Sequence, residues 1–214
     1  DRRRHQVEML LNPRPSLEGQ VEDELRLLEL TASIDAMAEG HHPTGASIYQ
    51  RLHNPTVARF ESALARMEGA ENAVAFSSGM AAVTAALMAA RMVGKHVVAV
   101  RPLYGGTDHL LASGLLDIEV SWATPDTVAD MIRPDTALIL CETPANPTLA
   151  LVDIEHIVDQ AGDVAVLVDS TFATPILQRP LDHGARLVLH SGTKFLGGHG
   201  DVMAGVLSGD DTWM

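Results

Sequence analysis

Cysteine is nearly missing from this chain, with Cys141 the single example in 214 residues. One thiol cannot build an internal disulfide framework, which suits a reducing compartment. Cys141 follows the apolar run Ala137-Leu138-Ile139-Leu140, where a buried structural thiol is expected rather than a nucleophile. Basic residues are also scarce: 15 against 28 acidic ones, a formal charge of −13. That balance argues against a nucleic-acid or anionic-membrane surface. A phosphate-bearing ligand would have to be held by local groups against the overall field. No apolar run reaches membrane-spanning length, because the longest, 80–93, is interrupted by Thr84 and Arg91. The chain opens Asp1-Arg2-Arg3-Arg4-His5 with no apolar core behind it and no initiator methionine. The expectation is a cytoplasmic chain that starts inside a longer gene product.

Several common site motifs are missing too. No G-x-G-x-x-G follows a strand, and Gly192-Thr193-Lys194-Phe195 does not have the order of a P-loop. The absence of G-x-S-x-G removes the hydrolase nucleophile elbow. His41-His42, His190 and His199 lack the i,i+4 or C-x-x-C partners of a metal centre, so no metal is expected. Asn54 and Asn146 each precede a proline, which rules them out as glycosylation acceptors and leaves turn chemistry.

What the chain does contain is a 46% apolar composition, enough to fill the core of one large domain or slightly more. Leu25, Leu28, Ile34 and Met37 mark a helical pattern over 16–38, followed by a loop at Gly40-His41-His42-Pro43-Thr44-Gly45. Asn54-Pro55-Thr56 opens a second helix with Val57, Phe60, Leu64 and Met67 on one face and Gly69 as its C-terminal cap. Strand-like runs follow at 73–76, 96–101, 118–122, 137–142, 164–169, 186–190 and 202–207. Helical patterns at 80–93, 107–116, 125–132 and 154–161 separate several of them. Strands apolar on both faces and separated by helices imply an α/β fold, a mostly parallel sheet flanked by helices. Ligands in such sheets sit beyond the carboxyl ends of the strands.

The polar residues expected at those ends form one coherent set. Asp169 closes the run Ala165-Val166-Leu167-Val168, and Lys194 lies twenty-five positions later in His190-Ser191-Gly192-Thr193-Lys194-Phe195-Leu196-Gly197-Gly198-His199. A carboxylate at the tip of a buried strand needs a cation or several donors. Alone, Asp169 would read as a helix cap or loop salt bridge and Lys194 as a solvated surface lysine, but a lysine set among apolar groups yields the neutral amine that a Schiff base requires. Together they are what a pyridoxal phosphate (PLP) enzyme needs: an amine for the cofactor aldehyde and a carboxylate for the pyridine nitrogen. Ser77-Ser78-Gly79-Met80 opens a helix just after a strand and has the form of a phosphate cradle, although a Ser-Gly pair there is more often simply a helix cap. Tyr104, in the Gly-rich loop Pro102-Leu103-Tyr104-Gly105-Gly106-Thr107, offers a flat ring for stacking, or equally a loop aromatic closing the core edge. Asn146, within Glu142-Thr143-Pro144-Ala145-Asn146-Pro147-Thr148, could bond a ring substituent or cap its own turn. Ser191 and Thr193 supply hydroxyls beside Lys194.

In their order these segments resemble the cystathionine γ-synthase/γ-lyase family, the Cys/Met-metabolism branch of fold-type I PLP enzymes. The matching stretches are Tyr49-Gln50-Arg51 with Asn54-Pro55-Thr56, Ser77-Ser78-Gly79-Met80-Ala81-Ala82, the Tyr104 loop, Glu142-Thr143-Pro144-Ala145-Asn146-Pro147, Val168-Asp169-Ser170-Thr171-Phe172-Ala173-Thr174-Pro175 and the Lys194 segment. The resemblance implies that Lys194 carries the cofactor, Asp169 pairs with its ring nitrogen, and Tyr104 stacks on the ring and serves as an acid. Ser78, Gly79, Met80, Ser191 and Thr193 would hold the phosphate, with Asn146 and Thr171 also at the cofactor and Glu142 and Asn146 toward the substrate. Tyr49 and Arg51 would reach the phosphate of a neighbouring subunit, in a homotetramer built as a dimer of dimers.

The same resemblance implies an N-terminal arm over 1–48, a PLP-binding large domain over 49–214, and a smaller C-terminal domain beyond Met214 that holds the substrate carboxylate. Ser170, Phe195, Gly200 and Gly106 depart from the usual pattern; where Gly106 stands, methionine γ-lyases usually carry a cysteine. The expected activity is therefore γ-elimination or γ-replacement of the cystathionine γ-lyase or γ-synthase type. Methionine γ-lyase and O-acyl-homoserine sulfhydrylase are the alternatives within the family, and a non-catalytic PLP-binding or dimerising fragment is the alternative outside it.

Overall fold

A computed structural model describes residues 54–213. The arm over 1–48, the helix expected at 16–38, and Tyr49 and Arg51 lie outside the described residues. The compact unit that holds nearly all of the described chain begins at Thr56.

Helix α1 (Pro55–Glu68) starts on the expected Asn-Pro signal, and Gly69 follows it at φ +72°, the left-handed turn that favours glycine there. The remaining elements are β1 (Asn72–Phe76), α2 (Gly79–Val93), β2 (His96–Val100), α3 (Gly105–Ala112), β3 (Glu119–Ala123), α4 (Val128–Met131) and β4 (Thr136–Glu142). Then come α5 (Ile154–Ala161), β5 (Ala165–Asp169), α6 (Thr174–Leu177), a 3₁₀ turn (Pro180–His183), β6 (Leu187–Ser191) and β7 (Gly205–Gly209). The seven strands form one sheet in the order β1-β7-β6-β5-β4-β2-β3. Among the described strands β7 alone runs against the rest, pairing antiparallel with both β1 and β6. The sheet is thus mostly parallel with helices packed against it, as the alternation of runs implies.

Apolar residues on both faces explain the arrangement. Val97, Ala99, Leu138, Leu140, Leu167, Leu187 and Leu189 pack with the inner side of α2, while Val98, Val100, Ile139, Cys141, Val166 and Val168 pack with α4 and α5 on the other side. Each such aliphatic side chain taken from water contributes about 1.5–3 kcal/mol. Cys141 is fully buried, and burial pushes its thiol pKa up to about 12, so it is the inert structural thiol expected.

Three elements differ from their sequence patterns. The last strand starts at Gly205 rather than 202, because Val202 and Met203 are exposed and pairing with β1 and β6 begins only at Gly205. Helix α3 runs over Gly105–Ala112, two residues earlier than expected, and ends before Gly114 at φ +69°. Helix α4 is a single turn, since its lead-in is occupied by a turn in which Thr127 Oγ1 accepts from Thr124 N at 2.9 Å.

At the opposite end of the strands from the expected site, His96 is buried between Thr136 and Ser121, whose hydroxyls lie 2.7 and 2.9 Å from its Nδ1 and Nε2. Burial lowers its pKa, and the nearby Arg133 charge acts in the same direction. A histidine with a lowered folded pKa contributes its full stability above the unfolded value of about 6.5 and loses it as pH falls through the folded value. His96→Ala should therefore cost about 2 kcal/mol at neutral pH. Urea midpoints would show this, and the gap should narrow in acid.

Candidate active site

The carboxyl ends of the strands surround a cavity of about 240 Å³. Its wall includes Ser78, Gly79, Met80, Tyr104, Glu142, Asn146, Asp169, Thr171, Ser191, Thr193 and Lys194. Every expected site residue within the described part of the chain therefore converges on one space. Sequence reasoning missed Val83, Thr107, Phe172, Leu189 and Met203, which complete the wall. Phe172 stands three positions after Asp169 and meets Phe195 edge-on at 5.5 Å. Val83, Leu189 and Met203 are plain apolar side chains and Thr107 a lone hydroxyl, so no residue type marks them.

Asp169 reaches this wall because it is the last residue of β5, in register with Glu142 on β4 and Leu189 on β6. Its Oδ1 accepts from Thr171 N at 3.0 Å and from the Thr171 hydroxyl. Thr171 Oγ1 in turn accepts from Ser191 N at 2.9 Å. Asp169 Oδ2 has no hydrogen-bond partner among the described residues. Burial raises the Asp169 pKa, with the Thr171 hydrogen bonds and the His190 ring pulling the other way. Such a carboxylate gains most from a cationic N–H donor placed at its free oxygen. Thr171, expected at the cofactor itself, orients the carboxylate that would hold it.

The opening turn of α2 supplies the anion-binding wall. Ser78 is its N-cap and accepts from Ala81 N through Oγ at 3.1 Å, while its carbonyl accepts from Ala82 N at 3.1 Å. Gly79 and Met80, one step earlier, keep their N–H groups without acceptors among the described residues. A Cβ on Gly79 would lie 2.8 Å from Ser191 Cβ and 3.0 Å from Ser191 Oγ, and one on Gly205 would lie 2.1 Å from Ser78 O. Glycine at both positions allows β6, β7 and the helix start to close around one small volume. Amides at a helix start with a hydroxyl opposite are an arrangement suited to phosphate.

The burial expected of Lys194 is corrected here, and two expected ligands, Thr193 and Glu142, are already engaged by protein groups. Lys194 lines the cavity but is exposed at its mouth, because the glycine-rich loop after β6 carries it out beyond the sheet; it is not buried among apolar groups. Thr193, expected to donate to phosphate, has its hydroxyl held by Ala204, donating to the carbonyl at 3.2 Å and accepting from the amide at 3.1 Å. The Ser78 hydroxyl accepts from Ala81 N as the cap of α2 and keeps its own proton to donate, so it stands with Gly79, Met80 and Ser191 at the phosphate wall. Glu142, expected at the substrate, is buried and already accepts from Asn146 N at 2.9 Å and from Tyr104 N.

Tyr104 begins α3 as its N-cap residue with its ring partly exposed over the cavity. A Cβ on Gly106 would come within 2.6 Å of Tyr104 Cε1 and 3.1 Å of Met80 Sδ. Gly106 thus lets the ring lie close to Met80. The site has a free carboxylate oxygen, an aromatic wall, unpaired helix-start amides and an amine, and these fit PLP group by group. They fit its ring nitrogen, ring face, phosphate and aldehyde, respectively.

Comparison with known proteins agrees. The model of the Cys/Met metabolism PLP-dependent enzymes matches residues 29–214. The chain is 61% identical over 182 residues to an L-methionine gamma-lyase of Streptomyces avermitilis, covering 84% of this chain and 44% of that protein. It is 41% identical to the cystathionine beta-lyase MetC of Bacillus subtilis, covering 78% and 44% of the two chains. The crystal structure of metB from Corynebacterium glutamicum matches with a TM-score of 0.72 at 37% identity, over 80% of this chain and 46% of that one. The chain spans less than half the length of these relatives. With the family model matched along most of the sequence and a relative 61% identical over 84% of it, this chain belongs to the Cys/Met metabolism family of PLP-dependent enzymes.

Proposed function

We propose that the complete protein is a PLP-dependent carbon–sulfur lyase that eliminates the γ-substituent of methionine or a close relative. The observation that carries this reading is the meeting of Lys194 and the free Asp169 oxygen in one cavity. When bound, PLP supplies an electron sink for charge that develops at the substrate α-carbon. Asp169 would hold positive charge at the ring nitrogen, Gly79 and Met80 N–H would hold the phosphate end, and Tyr104 would cover a ring face. Lys194 Nζ is the group placed to take and return protons at the carbon skeleton, and the Tyr104 hydroxyl can protonate the departing sulfur.

Methionine replaces cystathionine as the leading substrate because relatives at 61% and 56% identity carry the methionine gamma-lyase name. Gly106, which favours a cystathionine-type enzyme on sequence alone, sets the seat of the Tyr104 ring and does not outweigh that identity. The protein is further proposed to be a cytoplasmic homo-oligomer, with Tyr49 and Arg51 reaching a neighbouring subunit's site. Support for self-association comes from Ile176, Leu177 and Met203, each at least 70% exposed, since large apolar side chains left in water commonly mark an interface.

The test is to give the complete, PLP-loaded protein methionine, cystathionine, or an O-acyl-homoserine with cysteine. Methionine should yield methanethiol, ammonia and the 2-oxo acid. Turnover of cystathionine or the O-acyl-homoserine alone would move the assignment to those family activities, and no turnover of any of them would leave a non-catalytic role.

A further inference from the structure

Among the described residues Glu142 is the one acidic side chain in the cavity wall besides Asp169, and the mechanism above does not use it. It ends β4 and is 4% exposed. Its two oxygens are shared between loops that come from different parts of the sheet. One accepts from Tyr104 N at the start of α3, the other from Asn146 N in the loop after β4. Tyr104 has no side-chain cap bond of its own, so its tie to the rest of the site runs through this carboxylate and the packing around Gly106 and Met80.

We propose that Glu142 is the positioning residue of Tyr104: ionised, it fastens the Tyr104 loop to the Asn146 loop, and protonated, it releases one of them. An ionised carboxylate accepts at both oxygens, whereas a protonated one turns an O–H toward an N–H and can keep only one of the two bonds. This inference rests on the reading of Asp169 and Lys194 as the cofactor-holding pair.

The setting makes that switch usable near neutral pH. Burial, and then the adjacent Asp169 charge, push the Glu142 pKa up to about 7. The ionisable groups that share its cavity are Asp169 from β5, Tyr104 from α3 and Lys194 from the loop after β6. Cys141 beside it on β4 does not titrate in this range, and no cation pairs with Glu142 among the described residues. A cation held at Asp169 Oδ2 would offset the negative charge that Glu142 faces. Cofactor binding should then favour the ionised clamp, so the site closes on Tyr104 as it fills.

Hydrogen exchange on the complete, cofactor-free protein tests this. Rates are normalised to an unstructured reference peptide at each pH. Protection of the Tyr104 and Asn146 amides should fall about tenfold between about pH 8 and about pH 6, while amides within β4 hold steady. Glu142→Gln, which places an NH₂ toward one of the donors, should show the low-pH behaviour at both values. In the loaded enzyme the same variant should lower kcat more than it raises KM and lose the acid limb of the kcat/KM profile, which should lie below the cofactor-free value of about 7 because the bound cation favours the ionised carboxylate. Protection that does not change with pH in the unaltered protein would overturn the proposal. So would a variant whose protection drops evenly along β4, the sign of a merely structural role. If Glu142→Gln does not fold, the pH series on the unaltered protein decides alone. The exchange readout needs no turnover, so a failed clamp and a failed substrate assignment remain separate results.

Discussion

Lys194→Ala in the complete protein should abolish the visible absorbance of lysine-bound PLP and lower kcat/KM by at least about 10⁴-fold. Two roles are lost in one substitution, because the same amine joins the cofactor and carries protons at the substrate. The fold should survive. Lys194 is exposed, its backbone hydrogen bonds to Ser191 and Gly198 do not use the side chain, and it makes no ion pair among the described residues. Far-UV circular dichroism and the urea midpoint should therefore match those of the unaltered protein. Lys194→Arg separates charge from chemistry: a guanidinium keeps the positive charge at the cavity mouth but is never a neutral amine nucleophile at ordinary pH. It should lose the absorbance as fully as alanine does. Retention of the band in either variant would remove Lys194 from the role given to it here.

That exposure is also where the sequence was least informative. The residue types around Lys194 point to its chemistry, since a Ser/Thr/Gly loop downstream of a strand-end aspartate shifts it away from the solvated surface role that most lysines have. They do not report its burial, which depends on how far the loop after β6 projects. Position along a strand was readable for Asp169 and Glu142, because β4 and β5 are continuous apolar runs that each end in an acid, and a parallel register places those acids side by side. What could not be read was the allocation of hydrogen bonds. Glu142 accepts from Tyr104, 38 positions away, and Thr171 accepts from Ser191, 20 positions away. Pairings of that span follow from the packing of whole elements and leave no local periodicity. Hence residue type and position point to ligand roles for Thr193 and Glu142, whereas in the fold Thr193 holds Ala204 and Glu142 holds two loops. The start of β7 was misplaced for a related reason: Val202 and Met203 have strand-like side chains, yet the neighbouring strands begin to pair only at Gly205.

Asp169→Asn is expected to separate function from stability in opposite directions. Asparagine keeps a carbonyl oxygen where Oδ1 accepts from Thr171 N and from its hydroxyl, so the local geometry should persist. The negative charge that the free oxygen would offer to the ring nitrogen is gone. Removing one preorganised electrostatic partner of that kind lowers kcat by about 10²–10³-fold. Binding of PLP should weaken as well, and the band of any bound cofactor should shift with the protonation of its ring. Stability should move the other way in the cofactor-free protein. The Asp169 pKa is raised, chiefly by burial, so the fold favours the protonated carboxyl. A group of this sign contributes stability below its unfolded pKa and loses it as pH rises through the folded one. Above that range the unaltered protein holds a buried charge with no ion-pair partner among the described residues, and asparagine relieves it. The melting temperature of cofactor-free Asp169→Asn should thus exceed that of the unaltered protein at mildly alkaline pH, with the difference shrinking in acid. Adding PLP should reverse the order, because only the carboxylate can pair with the cationic ring. A variant that is less stable than the unaltered protein with and without PLP would show that Asp169 holds the fold rather than the cofactor.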